Sequence, residues 1–228
     1  NLGIVSCEAG LNGVVGKGLI DARVDGSVSQ LEFNGYDYDS LCFGGRLTEK
    51  TFNGHVRADD PALRFDFQGE VGFNPERPHY DFDLDLIHAD LARMHLNRRD
   101  SVSVLSALVE ARASGRTLDD LNGKVTVGDV VYRYNADTLR TTRLTLDGQN
   151  SAGSKYLSLQ SEFADATFRS RTDYKTVFEY LRSSLEKYIP LLYDERKARK
   201  RAAGAVSVVD DYSVLSVDVK HFTPVADA

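Results

Sequence analysis

Three aspartates alternate along one segment of the sequence, at Asp81, Asp83 and Asp85, and carboxylates are the side chains that bind calcium. On a β-strand these side chains point the same way, about 6.6 Å apart per step. A calcium site needs ligands that converge on one point at about 2.4 Å, and a straight strand spreads them. The spacing therefore favours a solvated sheet face, and the sequence predicts no metal site and no cofactor.

The histidines provide no metal-binding spacing. His88 and His95 are seven residues apart, which would suit one face of a helix, but neither belongs to the His-Glu-x-x-His pattern of zinc enzymes. The sequence also contains no Gly-x-Ser-x-Gly nucleophile motif. The glycine-rich stretch 13–18 includes Lys17 but lacks the Walker spacing, so a hairpin tip is the better interpretation.

Paired carboxylates could in principle serve a hydrolase of envelope polysaccharide, and the abundant aspartates leave that alternative open. The absence of any other catalytic pattern instead predicts a chain that is not an enzyme. Cys7 and Cys42 could pair in an oxidising compartment or stay free in a reducing one. Neither has a Cys-x-x-Cys partner or a basic neighbour, so we predict that both are dispensable.

The composition is that of a folded, acidic chain. Of its 228 residues, 42% are hydrophobic and 27% charged, and the net charge is -6. An acidic balance argues against nucleic acid as a partner, because duplex binding needs cations that neutralise phosphates. No stretch reaches the ~18 apolar residues of a membrane helix, and no signal peptide is visible. Residues 1–5 resemble the interior of a sheet, which predicts a fragment of a larger protein.

Alternation of apolar and polar residues is the dominant pattern, most clearly in Leu63–Gln68 and Tyr80–Leu86, and again at Leu215, Val217 and Val219. A period of two predicts β-strands with one apolar face. Glycine-containing pairs follow one another about every ten residues and are interpreted as hairpin turns, which predicts an antiparallel meander. These pairs are Asp25–Gly26, Asn34–Gly35, Gly44–Gly45 and Asn53–Gly54.

The sequence also resembles itself at an offset of 89 residues. Leu19–Arg23 followed by Gly26 is echoed by Leu108–Arg112 followed by Gly115. We therefore expect a single domain over 1–228 that contains two repeats, at about 10–86 and 100–170. Ile87–Met94, between them, is interpreted as a short helix or an irregular corner.

A different period follows the second repeat. Apolar residues at helical spacing, with Asp173 as a candidate N-cap and Pro190 as a kink or end, predict one amphipathic helix over about 174–203. The basic run Arg196–Arg201 could contact anionic lipid head groups or form the polar end of an exposed helix. Closing strands are predicted over 205–222. The helical positions are Val177, Leu181, Leu185, Tyr188 and Leu192.

The alternation of apolar and polar residues places large apolar side chains on one face of the predicted sheet. Exposing that face to water would cost roughly 1.5–3 kcal/mol per large side chain, so something must cover it. The sheet could fold on itself, the predicted helix could pack on it, or a ligand could lie along it. The candidate residues of this apolar groove are Leu31, Phe33, Phe65, Phe67, Val71, Phe73, Phe82 and Leu84.

Short motifs spread over residues 10–200 carry a family resemblance. They are Ala22–Gly26, Phe33–Tyr36, Phe52–Gly54, Asp60–Leu63, Phe65–Gly69, Tyr80–Phe82, Ala89–Leu91 and Gly115–Gly123. In these motifs the chain resembles the TamB translocation and assembly module family in its Bacteroidetes form, a group of AsmA-like proteins. The resemblance implies an elongated antiparallel sheet curled into a β-taco-like trough with an apolar interior.

The same resemblance implies a location and a role. Such proteins are anchored in the inner membrane of Gram-negative bacteria and extend through the periplasm. The implied function is phospholipid transport between the inner and outer membranes, with phospholipid acyl chains as the ligand. The alternative is a chaperone-like or spacer role in outer-membrane protein assembly with a partner barrel. The family's membrane helix and extreme C-terminal region are not identifiable, so neither anchoring nor barrel docking is assigned to any residue here.

Overall fold

A computed structural model of the chain describes residues 2–16, 19–151, 153–174 and 213–220. These residues form one sheet of thirteen strands and a short 3-10 helix at Leu118–Asp120. Among them, no helix has the length and apolar character needed to cross a membrane. The strands are β1 Leu2–Gly16, β2 Leu19–Phe33, β3 Tyr36–Tyr38, β4 Leu41–Thr48, β5 Thr51–Asp59, β6 Leu63–Gly72, β7 His79–Asp90, β8 Ser103–Ser114, β9 Asn122–Tyr134, β10 Asp137–Ser151, β11 Ser154–Ser161, β12 Ala164–Ser170 and β13 Val214–Val219.

The sheet is an antiparallel meander, as predicted, although most of the predicted turn positions lie inside strands. Its strand order is β1-β2-β4-β5 and then each strand in sequence to β13, with β3 paired beside β2. Apart from β3 and β4, which both pair with β2, strands adjacent in sequence are neighbours in the sheet, because short connections allow only antiparallel pairing. β13 lies within the range predicted for closing strands, whereas the helix predicted over about 174–203 lies outside the described residues except for Tyr174.

The predicted glycine turns are mostly wrong. Asn34–Gly35 does form a turn, with φ angles of 56° and 78°. The other three pairs lie inside β2, β4 and β5, so each of these strands continues through the position of a predicted turn. Gly45 and Gly54 face each other in register, and a Cβ added to either would lie 2.7 Å from the other's Cα. Glycine therefore permits close strand approach at these positions rather than a turn.

The part of the chain that the structure describes does not show two equivalent units. The motifs Leu19–Arg23 and Leu108–Arg112 both lie on interior strands, but the positions after them differ. Gly26 lies within β2, whereas Gly115 follows β8 with a φ of 126°. Asn34–Gly35, which follows the first motif, is a turn, whereas Asn122–Gly123, which follows the second, begins β9. The described residues therefore do not show the two motifs in equivalent structural units, and the two repeats stay a prediction.

The segment between the proposed repeats is irregular rather than helical. β7 continues through Ile87 to Asp90, and a turn spans 91–96. Beneath this turn lies the most buried apolar cluster of the described chain, at one end of the strands. Its buried members are Tyr38, Ala62, Ala89 and Met94.

A buried carboxylate organises the same end of the sheet. Asp60 is 1% exposed and accepts hydrogen bonds from the Tyr36 hydroxyl (2.8 Å), the Asp39 amide (3.1 Å) and the Ala62 amide (2.7 Å). Three donors satisfy a charge that would be costly to bury without partners. Asp60 therefore holds together the strand ends around the cluster.

One row of register partners crosses twelve strands and contains only apolar residues and glycines. At about 4.8 Å per strand, the row is roughly 50 Å long. The alternation within each strand is thus aligned between strands, which makes one face of the sheet continuously apolar. The row is Leu11, Val24, Gly45, Gly54, Gly69, Phe82, Ala111, Val125, Leu146, Leu159, Ala166 and Val217.

The opposite face is polar and carries ion pairs between neighbouring strands. Arg112 binds Asp81 (2.8 Å) and Asp83 (2.9 Å), and Arg57 binds Asp66 (3.5 Å). All five side chains are about half exposed or more. Two of the three alternating aspartates thus have an arginine partner on a solvated sheet face.

Candidate functional site

A groove with a volume of about 440 Å³ lies on the apolar face across β5, β6 and β7. Every side chain in its lining is aliphatic or aromatic, so the groove offers dispersion contacts and no donor, acceptor or charge. The lining residues are Phe52, Val56, Phe65, Phe67, Val71, Phe73, Leu84 and Leu86.

Strand register brings these side chains together. Phe67 faces Val56 on β5 and Leu84 on β7, and Phe65 faces Leu86. Because successive side chains of a strand point to opposite faces, these positions share the apolar face. Burial is only partial along the groove, and Phe73, just beyond β6, is 49% exposed.

Two glycines interrupt the lining at its centre. Gly54 lies between Phe52 and Val56 on β5, and its register partner on β6 is Gly69. Gly69 has a φ of 142°, and a Cβ there would lie 2.7 Å from the Cβ of Phe82. A Cβ at Gly54 would collide with the Gly44 carbonyl oxygen, and one at Gly69 would collide with the Asp81 carbonyl oxygen, so glycine permits close strand approach beside the groove.

Five of the eight predicted groove residues line this site: Phe65, Phe67, Val71, Phe73 and Leu84. Phe82 lies on the same face of β7 and packs against Phe67, with ring centroids 5.1 Å apart. Leu31 packs against the apolar cluster under the 91–96 turn. Phe33 lies at the end of β2, paired with Tyr36, and is 43% exposed.

Sequence reasoning missed Phe52, Val56 and Leu86. The interpretation of Asn53–Gly54 as a turn hid the alternation of Phe52, Gly54 and Val56 along one strand. Leu86 belongs to the alternating run Tyr80–Leu86 and could have been included on that basis. β5 could have been identified by allowing Gly54 to occupy an apolar position in the alternation of Phe52, Gly54 and Val56.

Charged side chains occupy the polar face behind the groove. Glu70, adjacent to Val71, accepts hydrogen bonds from His79 (2.6 Å) and from Asn53 (2.9 Å). The hydrogen bond with His79, helped by that with Asn53, lowers the pKa of Glu70. A carboxylate held in this way stays ionised on the solvated side and leaves the groove apolar.

The cysteines cannot pair in this fold. β2 lies between their strands, with Val28 opposite Cys7 and Ser27 opposite Cys42, so the two side chains point to opposite faces. Two strand spacings, roughly 9.6 Å, also exceed the Cα separation of a disulfide. Both thiols are free and exposed.

The side chains that line the groove offer contact area to an apolar ligand and include no nucleophile, acid or base. Within the described ranges, no cluster of three or more histidines, cysteines or carboxylates could hold a metal ion. An open, entirely apolar groove suits a flexible hydrocarbon, which needs contact area rather than directed hydrogen bonds. Comparison of the chain with protein-family models, curated proteins and solved structures gives no match.

Proposed function

We propose that this chain is a trough segment of a TamB-like periplasmic protein whose apolar groove holds phospholipid acyl chains during transport between the two membranes of a Gram-negative envelope. The observation that carries the proposal is the groove itself. Eight apolar side chains line it, and no described residue covers it. In this role the chain catalyses no reaction. It provides an apolar path in which a lipid tail avoids water.

The magnitudes suit such a ligand. Burial of one methylene contributes about 0.8 kcal/mol, so a sixteen-carbon chain could gain ~12 kcal/mol before ordering costs. The row from Leu11 to Val217 continues the apolar face on both sides of the groove. A lipid could therefore move along the face without leaving apolar contact.

The proposal includes curling of the sheet around its apolar face. Support comes from glycines on that face whose Cβ would collide with a neighbouring strand, as at Gly45 and Gly54. It also comes from Leu121, whose side chain reaches over Gly148: a Cβ there would lie 2.8 Å from the Leu121 Cγ. Inward curling would crowd the apolar face in this way and reduce its exposure to water.

A charge in the groove tests the proposal. Phe67→Asp places a carboxylate on the groove side of β6, and Gln68→Asp places the same group one residue away on the polar face. Native mass spectrometry of the chain after incubation with phospholipid vesicles should detect bound lipid for wild type and Gln68→Asp. We expect at least a tenfold loss for Phe67→Asp, since an ionised carboxylate is costly to desolvate.

A second variant separates loss of binding from loss of folding. Phe73 lies at the margin of the groove and is 49% exposed, so Phe73→Asp should leave the circular dichroism spectrum unchanged while it weakens lipid binding. If folded Phe67→Asp and Phe73→Asp variants bind lipid like wild type, the groove is not the lipid site. Unfolding of Phe67→Asp alone would place Phe67 in a sealed core.

The β1 edge favours a second candidate, the chaperone-like role in outer-membrane protein assembly. β1 has fifteen residues and pairs with β2 alone among the described strands, and Ile4, Leu11 and Val14 are exposed. A long edge without proline or lysine can accept a client strand. Ala9→Pro should block strand addition and spare lipid binding, so peptide and lipid binding to this variant distinguish the two functions.

A further inference from the structure

The groove ends beside Phe73, and two cations flank that residue. The Phe73 amide donates to the carbonyl oxygen of Lys50 at 2.6 Å, which holds the β4–β5 turn next to Phe73. Arg77 follows four residues later, so its Cα lies at most about 14 Å from that of Phe73. The Arg77 amide donates to the Asn74 carbonyl (3.1 Å), which turns the loop back on itself and shortens that separation.

Both cations are available to a ligand. Lys50 and Arg77 are exposed, and neither makes an ion pair within the described part of the chain. By contrast, Arg46, Arg57 and Arg112 on the polar face are each bound to an aspartate. Of the described cations without an ion pair, Lys50 and Arg77 thus lie at the margin of the apolar groove, whereas others, such as Arg64 and Lys124, lie on the polar face.

A polar depression of about 590 Å³ adjoins this margin. The loop between β6 and β7 connects the two sites: it begins at Phe73 in the groove and reaches Arg77 in the depression. The Gly115 amide donates to the Pro78 carbonyl (3.0 Å) and ties this loop to the opposite wall. The depression is lined by Glu76, Arg77, Ser114, Gly115, Asp120, Asn122 and Asn150.

Asp120, which lines the depression together with Arg77 and the second carboxylate, Glu76, is already engaged elsewhere. It accepts hydrogen bonds from the Arg116 amide (3.0 Å), the Thr117 amide (2.7 Å) and the Thr117 hydroxyl (2.9 Å). Burial alone would raise the pKa of Asp120, but these bonds outweigh it and lower that pKa. Asp120 therefore closes the 3-10 helix and leaves the Arg77 guanidinium without a carboxylate partner.

We propose that Lys50 and Arg77 bind the phosphate of a phospholipid head group while one acyl chain occupies the adjacent groove. An arginine fork matches the oxygens of a phosphate, and a lysine adds a point charge. An anionic lipid uses an apolar groove and a neighbouring cationic margin together. The inference rests on the proposed function and adds to it a preference for a phosphate-bearing lipid over a neutral one.

Two fluorescent lipids with identical acyl chains test this preference: phosphatidylglycerol and diacylglycerol, which lacks the phosphate. Titration into the purified chain should give tighter binding of phosphatidylglycerol by about tenfold, the size of one charge-assisted hydrogen bond. The double variant Lys50→Ala/Arg77→Ala should lose that tenfold for phosphatidylglycerol and bind diacylglycerol as before. Both replaced side chains are exposed, so folding should be unaffected, which circular dichroism verifies.

A matched control removes the same charge elsewhere. Arg64→Ala/Lys124→Ala takes two exposed cations from the polar face and should leave both affinities unchanged. If this control loses as much affinity for phosphatidylglycerol, the preference comes from long-range attraction by the total charge and not from a binding site at Lys50 and Arg77. The head-group proposal is also overturned if wild type does not distinguish the lipids, or if Lys50→Ala/Arg77→Ala keeps the preference. Failure of wild type to bind either lipid would overturn the proposed function itself.

Discussion

The ring of Tyr174 packs against the ring of Phe168, with centroids 5.0 Å apart and planes at 61°. Phe168 lies on the apolar face of β12, opposite Leu157 and Leu215. Tyr174 is 3% exposed, and its amide donates to Asp119 Oδ1 at 2.6 Å. Lys155 also binds Asp119 (3.0 Å) and Asp173, so the chain after β12 is tied to the 3-10 helix region across the apolar face.

Asp119→Ala should weaken this tie. The substitution removes the acceptor of the Tyr174 amide and one partner of Lys155, whose side chain is 15% exposed. We expect the free energy of unfolding to fall by about 1–3 kcal/mol, because buried donors lose their partner. Urea denaturation measures the change. Asp85→Ala, on the solvated face of β7, is the control and should change the free energy by less than about 0.5 kcal/mol.

Gly69→Ala should destabilise the sheet through backbone strain. The φ of 142° is unfavourable for alanine, and the new Cβ would lie 2.7 Å from that of Phe82. We expect a loss of about 1–3 kcal/mol in the free energy of unfolding. Gly16→Ala is a matched control, since a Cβ there meets no atom within 4 Å. Equal stability of the two variants in thermal denaturation would contradict the strain at Gly69.

Because the pKa of Tyr36 is raised in the folded chain, we expect the chain to lose stability at alkaline pH. Burial, followed by the hydrogen bond to Asp60, raises the pKa of Tyr36 from 10.0 to about 12. Because the folded pKa is the higher one, the stabilisation is complete below pH 10 and disappears as the pH rises to about 12. Tyr36→Phe should be less stable than wild type at pH 8 and approach it above pH 11.

Denaturation at each pH measures this difference for Tyr36→Phe. Tyr134→Phe removes a hydroxyl that has no hydrogen-bond partner among the described residues and serves as the control. It should lower the stability at pH 8 less than Tyr36→Phe does. A Tyr36→Phe profile parallel to that of wild type between pH 8 and 12 would show that the Tyr36 hydroxyl does not titrate with unfolding.

The double variant Cys7→Ser/Cys42→Ser should fold and bind lipid like wild type. Both thiols are exposed and free, and they lie on opposite faces of the sheet. We expect the free energy of unfolding to change by less than about 0.5 kcal/mol, and no difference with or without a reducing agent. A drop in melting temperature of wild type on addition of reductant would reveal a disulfide and a different strand arrangement.

Much of the fold follows from local pattern. The alternation in Leu63–Gln68 and Tyr80–Leu86 predicted the strands, and the short spacing between them predicted antiparallel pairing. Glycine was the main source of error, because the same residue permits a turn at Asn34–Gly35 and a close strand contact at Gly45. Which of the two occurs depends on the neighbouring strand, which a local pattern does not contain.

By itself, the sequence determined that Phe65, Phe67 and Leu84 lie on the apolar faces of their strands, since a period of two acts within a single strand. Only the tertiary structure decided that Phe52 and Val56 join them in one groove and that Lys50 lies beside Phe73. Those relationships depend on register and on the course of the turns. Both are settled by the packing of many strands at once, because a shift of one residue would move every side chain to the other face.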